Sequence, residues 1–292
     1  MGKKTISSGS IPLPVILING QPAEHISVLD RGFQYGDGLF ETLRVSAGKP
    51  RRWAQHMARL TRGCQRLRIT MPEPALLWSE AMALCAGKTD AVLKIVVTRG
   101  RGERGYAPPV PAVTTRVLSL SSVVAFPSLY YREGVSVRVC DTRLSGNPAL
   151  AGIKHLNRLE QVLARAEWQD KGRDSEVAEG LMLDNNNNVI EGTMSNLFCV
   201  QEGEGGSILK TPSLVHCGVK GITRENVIRV AGAAGISVQE TTLGLTDLYR
   251  SQELFLCNTL MGIWPVRRLG EHHFTVGPVT RQLSQALESL RD

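Results

Sequence analysis

At 292 residues, 42% hydrophobic and 21% charged, the chain is about twice a typical single-domain length and has a globular composition, which excludes disorder and solenoid repeats and leaves two domains, or one domain with a large lobe. Its formal charge of +7 arises from 34 basic against 27 acidic residues, and 25 of the 34 are arginines spread along the whole chain, so anionic small molecules fit the balance as well as nucleic acid does. No apolar run approaches the roughly 18 residues of a spanning helix, so no membrane span is expected.

Residues 1–14 carry Lys3-Lys4, a Ser-Gly-Ser run and Pro12 and Pro14 without the apolar stretch of a secretory signal, and read as a flexible extension. Val15 to Ile18 followed by Asn19-Gly20 reads as a strand stopped by a turn, and Tyr35-Gly-Asp-Gly-Leu-Phe-Glu-Thr-Leu-Arg-Val45 as a glycine-rich bend entering a second strand. From Trp53, apolar residues at Met57, Leu60, Cys64 and Leu67 draw one stripe along a helix flanked by His56, Arg59 and Arg66. A second helix is expected from Pro74 through Cys85, then strands at Ala91 to Thr98 and Thr115 to Val124. A first domain at 15–124, a linker at 125–132 with Pro127 and two tyrosines, and a second domain at 133–292 follow from this pattern. The second half predicts a strand from Val135 to Val139, a helix from about Leu159 to Lys171, strands at Gly180 to Asp184 and Val189 to Gly192 around four asparagines, and a strand from Asn196 to Val200. A helix from Thr223 to Ala234, a strand at Glu253 to Cys257 and a terminal helix from about Val279 to Leu290 complete it. Both halves are α+β. The six cysteines are scattered without a Cys-x-x-Cys pair and suit reduced thiols in a cytoplasmic protein.

The literal G-x-G-x-x-G at Gly100 to Gly105 follows a predicted strand but precedes Tyr-Ala-Pro-Pro-Val-Pro111 rather than a helix, so no helix start is available for a pyrophosphate. The segment reads instead as a loop carrying Arg99, Arg101 and Arg104, either a solvated basic loop or a set of forked donors for a carboxylate substrate. Lys154, among small and apolar residues, could lose charge by desolvation and become a nucleophilic amine, with Lys94 its rival. Either side chain could equally carry its charge to water. Glu191 ends a predicted strand, where an exposed hairpin acid and a carboxylate aimed at a heterocyclic nitrogen are the two readings. Gly221-Ile-Thr-Arg224 opens a helix and can cradle a phosphate, and Cys257-Asn-Thr-Leu260 ends a strand with similar potential. No protease, hydrolase, P-loop or EF-hand motif occurs, and the six histidines form no metal-ligand set.

In order, Tyr35 to Glu41, His56 to Leu60, Lys154, Glu191 with Asn196 to Phe198, Gly221 to Arg224 and Asn258 to Met261 resemble the fold-type IV pyridoxal-phosphate enzymes, which include branched-chain and D-amino acid aminotransferases and aminodeoxychorismate lyases. Asn147 to Leu163 and Leu93 to Tyr106 look specifically like the lyase branch, whereas Glu41-Thr42 also occurs in the aminotransferase branches. The resemblance implies an α+β, two-domain fold: a small N-terminal α/β sandwich and a larger C-terminal, β-barrel-like domain with helices. It implies pyridoxal 5'-phosphate as cofactor, Lys154 as Schiff-base lysine and acid/base, and Glu191 as partner of the pyridine nitrogen. Arg59, Ile222, Thr223, Asn258 and Thr259 would hold the phosphate, and Arg99, Arg104, Tyr106 and Tyr35 would meet substrate. The expected reaction converts 4-amino-4-deoxychorismate to 4-aminobenzoate and pyruvate for folate, in a cytoplasmic homodimer without nucleic-acid or membrane partners. The rival enzyme reading is an aminotransferase using the same Lys154 and Glu191, and the non-enzyme rival is a basic binding protein.

Overall fold

The computed structural model describes residues 15–168 and 176–290. The extension expected at 1–14 lies outside the described residues, as do positions 169–171 of the helix expected to reach Lys171, which already ends at Ala166. Val15–Ile18 (β1) and Gln21–Pro22 (β2) pair over Asn19-Gly20, whose φ angles of 50° and 84° are those a tight two-residue hairpin turn demands. Arg31–Tyr35 (α1) starts at Asp30, whose side chain accepts the Gly32 N–H at 2.8 Å, and stops at Gly36, φ 65°. The chain then enters Gly38–Ser46 (β3), which with Lys49–Pro50 (β4), Asp90–Thr98 (β5) and Thr115–Ser121 (β6) makes a six-stranded antiparallel sheet ordered β2-β1-β6-β5-β3-β4.

The two-residue period of β3 decides what each side chain sees. Leu39, Glu41, Leu43 and Val45 are buried beneath the helices Trp53–Leu67 (α2) and Pro74–Cys85 (α3), in a core with Leu60, Leu77, Leu93 and Ile95. Phe40 and Thr42 therefore face the other way, into a cavity. The stripe expected along α2 is present, with Met57, Leu60 and Cys64 buried. His56 and Arg59, expected to flank it, are buried as well, at 0% and 5% exposure.

The strands at residue 135 and beyond form a second sheet of nine: Val135–Leu144 (β7), Val177–Asp184 (β8), Val189–Gly192 (β9), Asn196–Gly203 (β10), Gly206–Pro212 (β11), Ser237–Thr241 (β12), Glu253–Asn258 (β13), Gly262–Leu269 (β14) and His272–His273 (β15). Its order is β12-β11-β10-β13-β14-β7-β8-β9, with β15 beside β14. The end strand β9 nevertheless touches β10 and β11, so the sheet curls towards a barrel. Ser128–Arg132 (α4), in the expected linker, is tied to this half: Phe126 and Tyr130 set their rings edge-on to Trp264 at 4.8 and 5.1 Å. Leu159–Ala166 (α5), Ile222–Ala233 (α6), Leu245–Tyr249 (α7) and Pro278–Ser289 (α8) complete the chain. Among the described residues no helix is long and apolar enough to cross a membrane.

α2 is stitched to the second half. Gln55 and Asn226 exchange side-chain hydrogen bonds of 2.9 and 3.2 Å, Arg66 donates to the Ala151 carbonyl at 2.6 Å, and Arg59 donates to the Lys220 carbonyl at 2.9 Å. The start of β3 is likewise zipped to the segment bearing Lys154: Phe40 N–H donates to the Lys154 carbonyl at 2.9 Å and Leu156 N–H to that of Gly38 at 3.0 Å.

Candidate active site

Between the outer face of β3 and the curl of the second sheet lies a cavity of about 300 Å³. Lys154 reaches it from the segment before α5, with Nζ 4.3 Å from the centre of the Phe40 ring. Burial first, then the Arg59 and Arg158 cations, lower the amine's pKa from 10.5 to about 8, against the opposing pull of Glu41 and Glu191. A free amine is thus populated near neutral pH, as a nucleophile or proton carrier needs. The rival Lys94 is exposed on β5.

Glu191 stands on the cavity wall at the end of β9, 5% exposed. Its Oε2 accepts the Val219 N–H at 2.8 Å and a longer 3.4 Å bond from Asn196 Nδ2, yet burial outweighs these and raises its pKa to about 7. Such a carboxylate favours a cationic neighbour. Asn196 couples this acid to the next turn: Nδ2 donates to the Val219 carbonyl at 2.9 Å, and Oδ1 accepts the Gly221 N–H at 3.1 Å. A Cβ on residue 221 would lie 2.1 Å from that Oδ1, so the turn requires glycine here.

Gly221 also caps α6, and no side chain caps its first turn. Ile222 and Thr223 open the helix at the cavity, and the buried Thr223 Oγ1 has no partner within the protein. Arg59, also on the wall, brings positive charge to the same end. Free N–H groups at a helix start, a hydroxyl without a partner and a guanidinium are the donor set of a phosphate. The residues present therefore fit a cofactor with a phosphate at one end, a carbonyl beside Lys154 and a protonated ring nitrogen near Glu191. Thr259 lines the same cavity. Asn258 does too, but its side chain closes the following turn, accepting from Leu260 and Met261 N–H at 2.9 and 2.8 Å and donating to the Met194 carbonyl at 3.1 Å.

The expected substrate residues lie elsewhere. Arg99 does not line the cavity: buried at 7% exposure, its guanidinium binds Asp37 at 2.7 and 3.0 Å and the carbonyls of Leu67 and Arg68. Arg104 and Tyr106 are exposed on the 99–114 loop, and neither they nor Tyr35 line the cavity of their own chain. That loop is nonetheless built. Arg31 donates to the carbonyls of Gly105, Tyr106 and Ala107 at 3.0, 2.9 and 3.3 Å while bound to Asp37, and the Tyr35 and Tyr106 rings meet edge-on at 5.5 Å.

Two residues escaped sequence reasoning. Arg158 lines the cavity between Lys154 and Glu191, four residues beyond the lysine, with its Nε on the His155 carbonyl at 2.9 Å. Glu179, fully buried on β8, accepts hydrogen bonds from the backbone N–H of Gly180, Thr193 and Met194 and from the Thr193 and Ser195 hydroxyls, shaping the turn that forms one wall. Cys257 also lines the cavity, and burial pushes its thiol up to about 12.

A half-buried amine of lowered pKa, a buried carboxylate and a phosphate cup at a helix start define an enzyme that works through a lysine-tethered, phosphorylated carbonyl cofactor. The chain belongs to the class IV aminotransferase family, which it matches over residues 38–269, a family of pyridoxal-phosphate enzymes. It is 37% identical to an aminodeoxychorismate lyase of Vibrio harveyi, covering 93% of this chain and 99% of that one. It is 33% identical to a putative branched-chain-amino-acid aminotransferase of Methanocaldococcus jannaschii, over 94% and 96%. A crystal structure of 4-amino-4-deoxychorismate lyase from Pseudomonas aeruginosa superposes with a TM-score of 0.88 at 47% identity, over 94% and 99%.

Proposed function

We propose that this enzyme is a pyridoxal-phosphate-dependent lyase that converts 4-amino-4-deoxychorismate to 4-aminobenzoate and pyruvate, the aromatic product serving folate synthesis in the cytoplasm. The observation that carries the reading is the meeting of the Lys154 amine, the Glu191 carboxylate and the α6 phosphate cup in one cavity. The near full-length similarity to two lyases supports the choice of reaction.

When bound, the cofactor supplies a carbonyl that takes up the substrate amine and a cationic ring that accepts an electron pair from the carbon bearing it. Glu191 holds the ring nitrogen protonated. Lys154 Nζ takes the proton from the amine-bearing carbon, the neighbouring C–O bond breaks to expel enolpyruvate, and Lys154 returns a proton to the enolpyruvate methylene to give pyruvate. Aromatisation of the remaining ring drives the step, so the protein has chiefly to position the substrate and move one proton. Thr223, Ile222 and Arg59 anchor the phosphate end.

Arg104 and Tyr106 do not line their own chain's cavity, so a substrate role for them requires a second copy, and we read the enzyme as a homodimer whose loops reach across. The test supplies purified protein with 4-amino-4-deoxychorismate and follows both products. Equal release of pyruvate and 4-aminobenzoate, abolished in Lys154→Ala, is expected. If a borohydride-reducible cofactor is present, neither product forms and amino groups pass to a 2-oxo acid, the aminotransferase reading takes its place, as the 33% identical relative would favour.

A further inference from the structure

Glu41 occupies an unexpected place: a carboxylate buried directly behind a site that must hold an anion. The alternation of β3 turns it away from the cavity and into the core beneath α2, at 1% exposure. There it grips Arg59 in a two-pronged pair, with Nε on Oε1 at 2.8 Å and Nη2 on Oε2 at 2.6 Å, and Oε2 also meets His56 Nδ1 at 2.7 Å. Burial alone would protonate this acid, but the Arg59 charge and the bonds from Arg59 and His56 lower its pKa to about 2. Burial keeps His56 neutral, so its Nδ1 carries the proton and donates to Glu41.

Arg59 has five N–H donors. Two go to Glu41 and one, on Nη1, to the Lys220 carbonyl at 2.9 Å, just before the α6 cup. One N–H on Nη1 and one on Nη2 remain, held in a fixed plane by a carboxylate that has no freedom of its own. A guanidinium fixed in this way loses little freedom on meeting a phosphate. An Arg59 without Glu41 would be a buried cation able to turn towards any acceptor.

We propose that Glu41 is the positioning residue of the phosphate site, acting through Arg59 to aim its two remaining donors at the cofactor phosphate, with His56 fixing the carboxylate from behind. The inference rests on the reading of the cavity as a pyridoxal-phosphate site.

The experiment titrates cofactor-free wild type, Glu41→Gln, Glu41→Asp, Arg59→Ala and the Glu41→Gln/Arg59→Ala double variant with pyridoxal 5'-phosphate and, separately, with pyridoxal. Binding is followed by the absorbance of the bound chromophore. Glu41→Gln is expected to weaken the phosphorylated ligand about tenfold or more and to leave pyridoxal within about twofold. The double variant is expected to bind no more weakly than Arg59→Ala alone, because the two residues act as one unit. Equal loss for both ligands, or additive losses in the double variant, overturns the proposal. Should Glu41→Gln not fold, Glu41→Asp keeps the charge, shortens its reach and is judged by the same ratio. Failure of wild type to bind pyridoxal 5'-phosphate at all would overturn the cofactor reading instead.

Discussion

Lys154 and Glu191 are set apart by their surroundings. Lys154 sits where Phe40 covers it and two arginines oppose its charge, so the amine that attacks a carbonyl becomes available at unusually low pH. Cofactor uptake by the unloaded protein should accelerate with pH and reach half its limiting rate at about 8; a stopped-flow rate unchanged from about pH 6 to about pH 10 would contradict this. Glu191 gives a second, independent prediction. Its folded pKa is raised from 4.5 to about 7, so its contribution to stability is present below 4.5 and lost as pH rises through 7. Glu191→Gln should therefore raise the Tm of the unloaded protein relative to wild type near pH 8 and leave it close to wild type near pH 4. Both residues were legible in the sequence as a lysine among small apolar neighbours and an acid at a strand end. Arg158 was not, because its place in the cavity depends on an irregular segment before α5, whose path is set by pairing with β3.

Elements matter through what they aim. The α2 stripe was readable from its spacing, but the same pattern assigned His56 and Arg59 to the flanks. They are buried because β3 presents Glu41 beneath them, a pairing between elements that helical periodicity in one of them cannot reveal. β12, β11 and β14 were also missed. β12 reads Ser-Val-Gln-Glu-Thr and lies exposed at the sheet edge beside β11, so no apolar alternation marks it. β14 contains Pro265 and Arg267-Arg268, yet is buried for much of its length where the sheet curls. Glu179 on β8 organises the wall turn at 193–195 by accepting four hydrogen bonds from it, with a fifth from Gly180 N–H. Its removal in Glu179→Ala would leave buried donors without an acceptor and should cost about 3 kcal/mol or more in denaturant unfolding. A loss under about 1 kcal/mol would show that the turn holds itself.

For the whole molecule, β6 ends at Ser121 and β7 begins at Val135, and the cavity forms where the two sheets meet. The loop held by Arg31 leaves Arg104 and Tyr106 exposed, and neither lines that cavity. If a second copy receives them, Lys154→Ala and Arg104→Ala, each inactive alone, should regain about a quarter of wild-type activity when unfolded and refolded together, since half the dimers would be mixed and carry one intact site. No regain on mixing would confine each site to one chain. The six cysteines are all buried and unpaired, and one of them bears on selectivity. Two residues on the cavity wall carry a group that adds to aldehydes, the amine of Lys154 and the thiol of Cys257, and the thiol packs into the core with Phe198, Val200 and Phe255. With the amine near 8 and the thiol near 12, almost none of the sulfur is thiolate at neutral pH, so hemithioacetal formation is suppressed while the amine remains competent. Burial thus settles a contest between nitrogen and sulfur by one rule with opposite results, since it favours the neutral form of each and only for the amine is that the nucleophile.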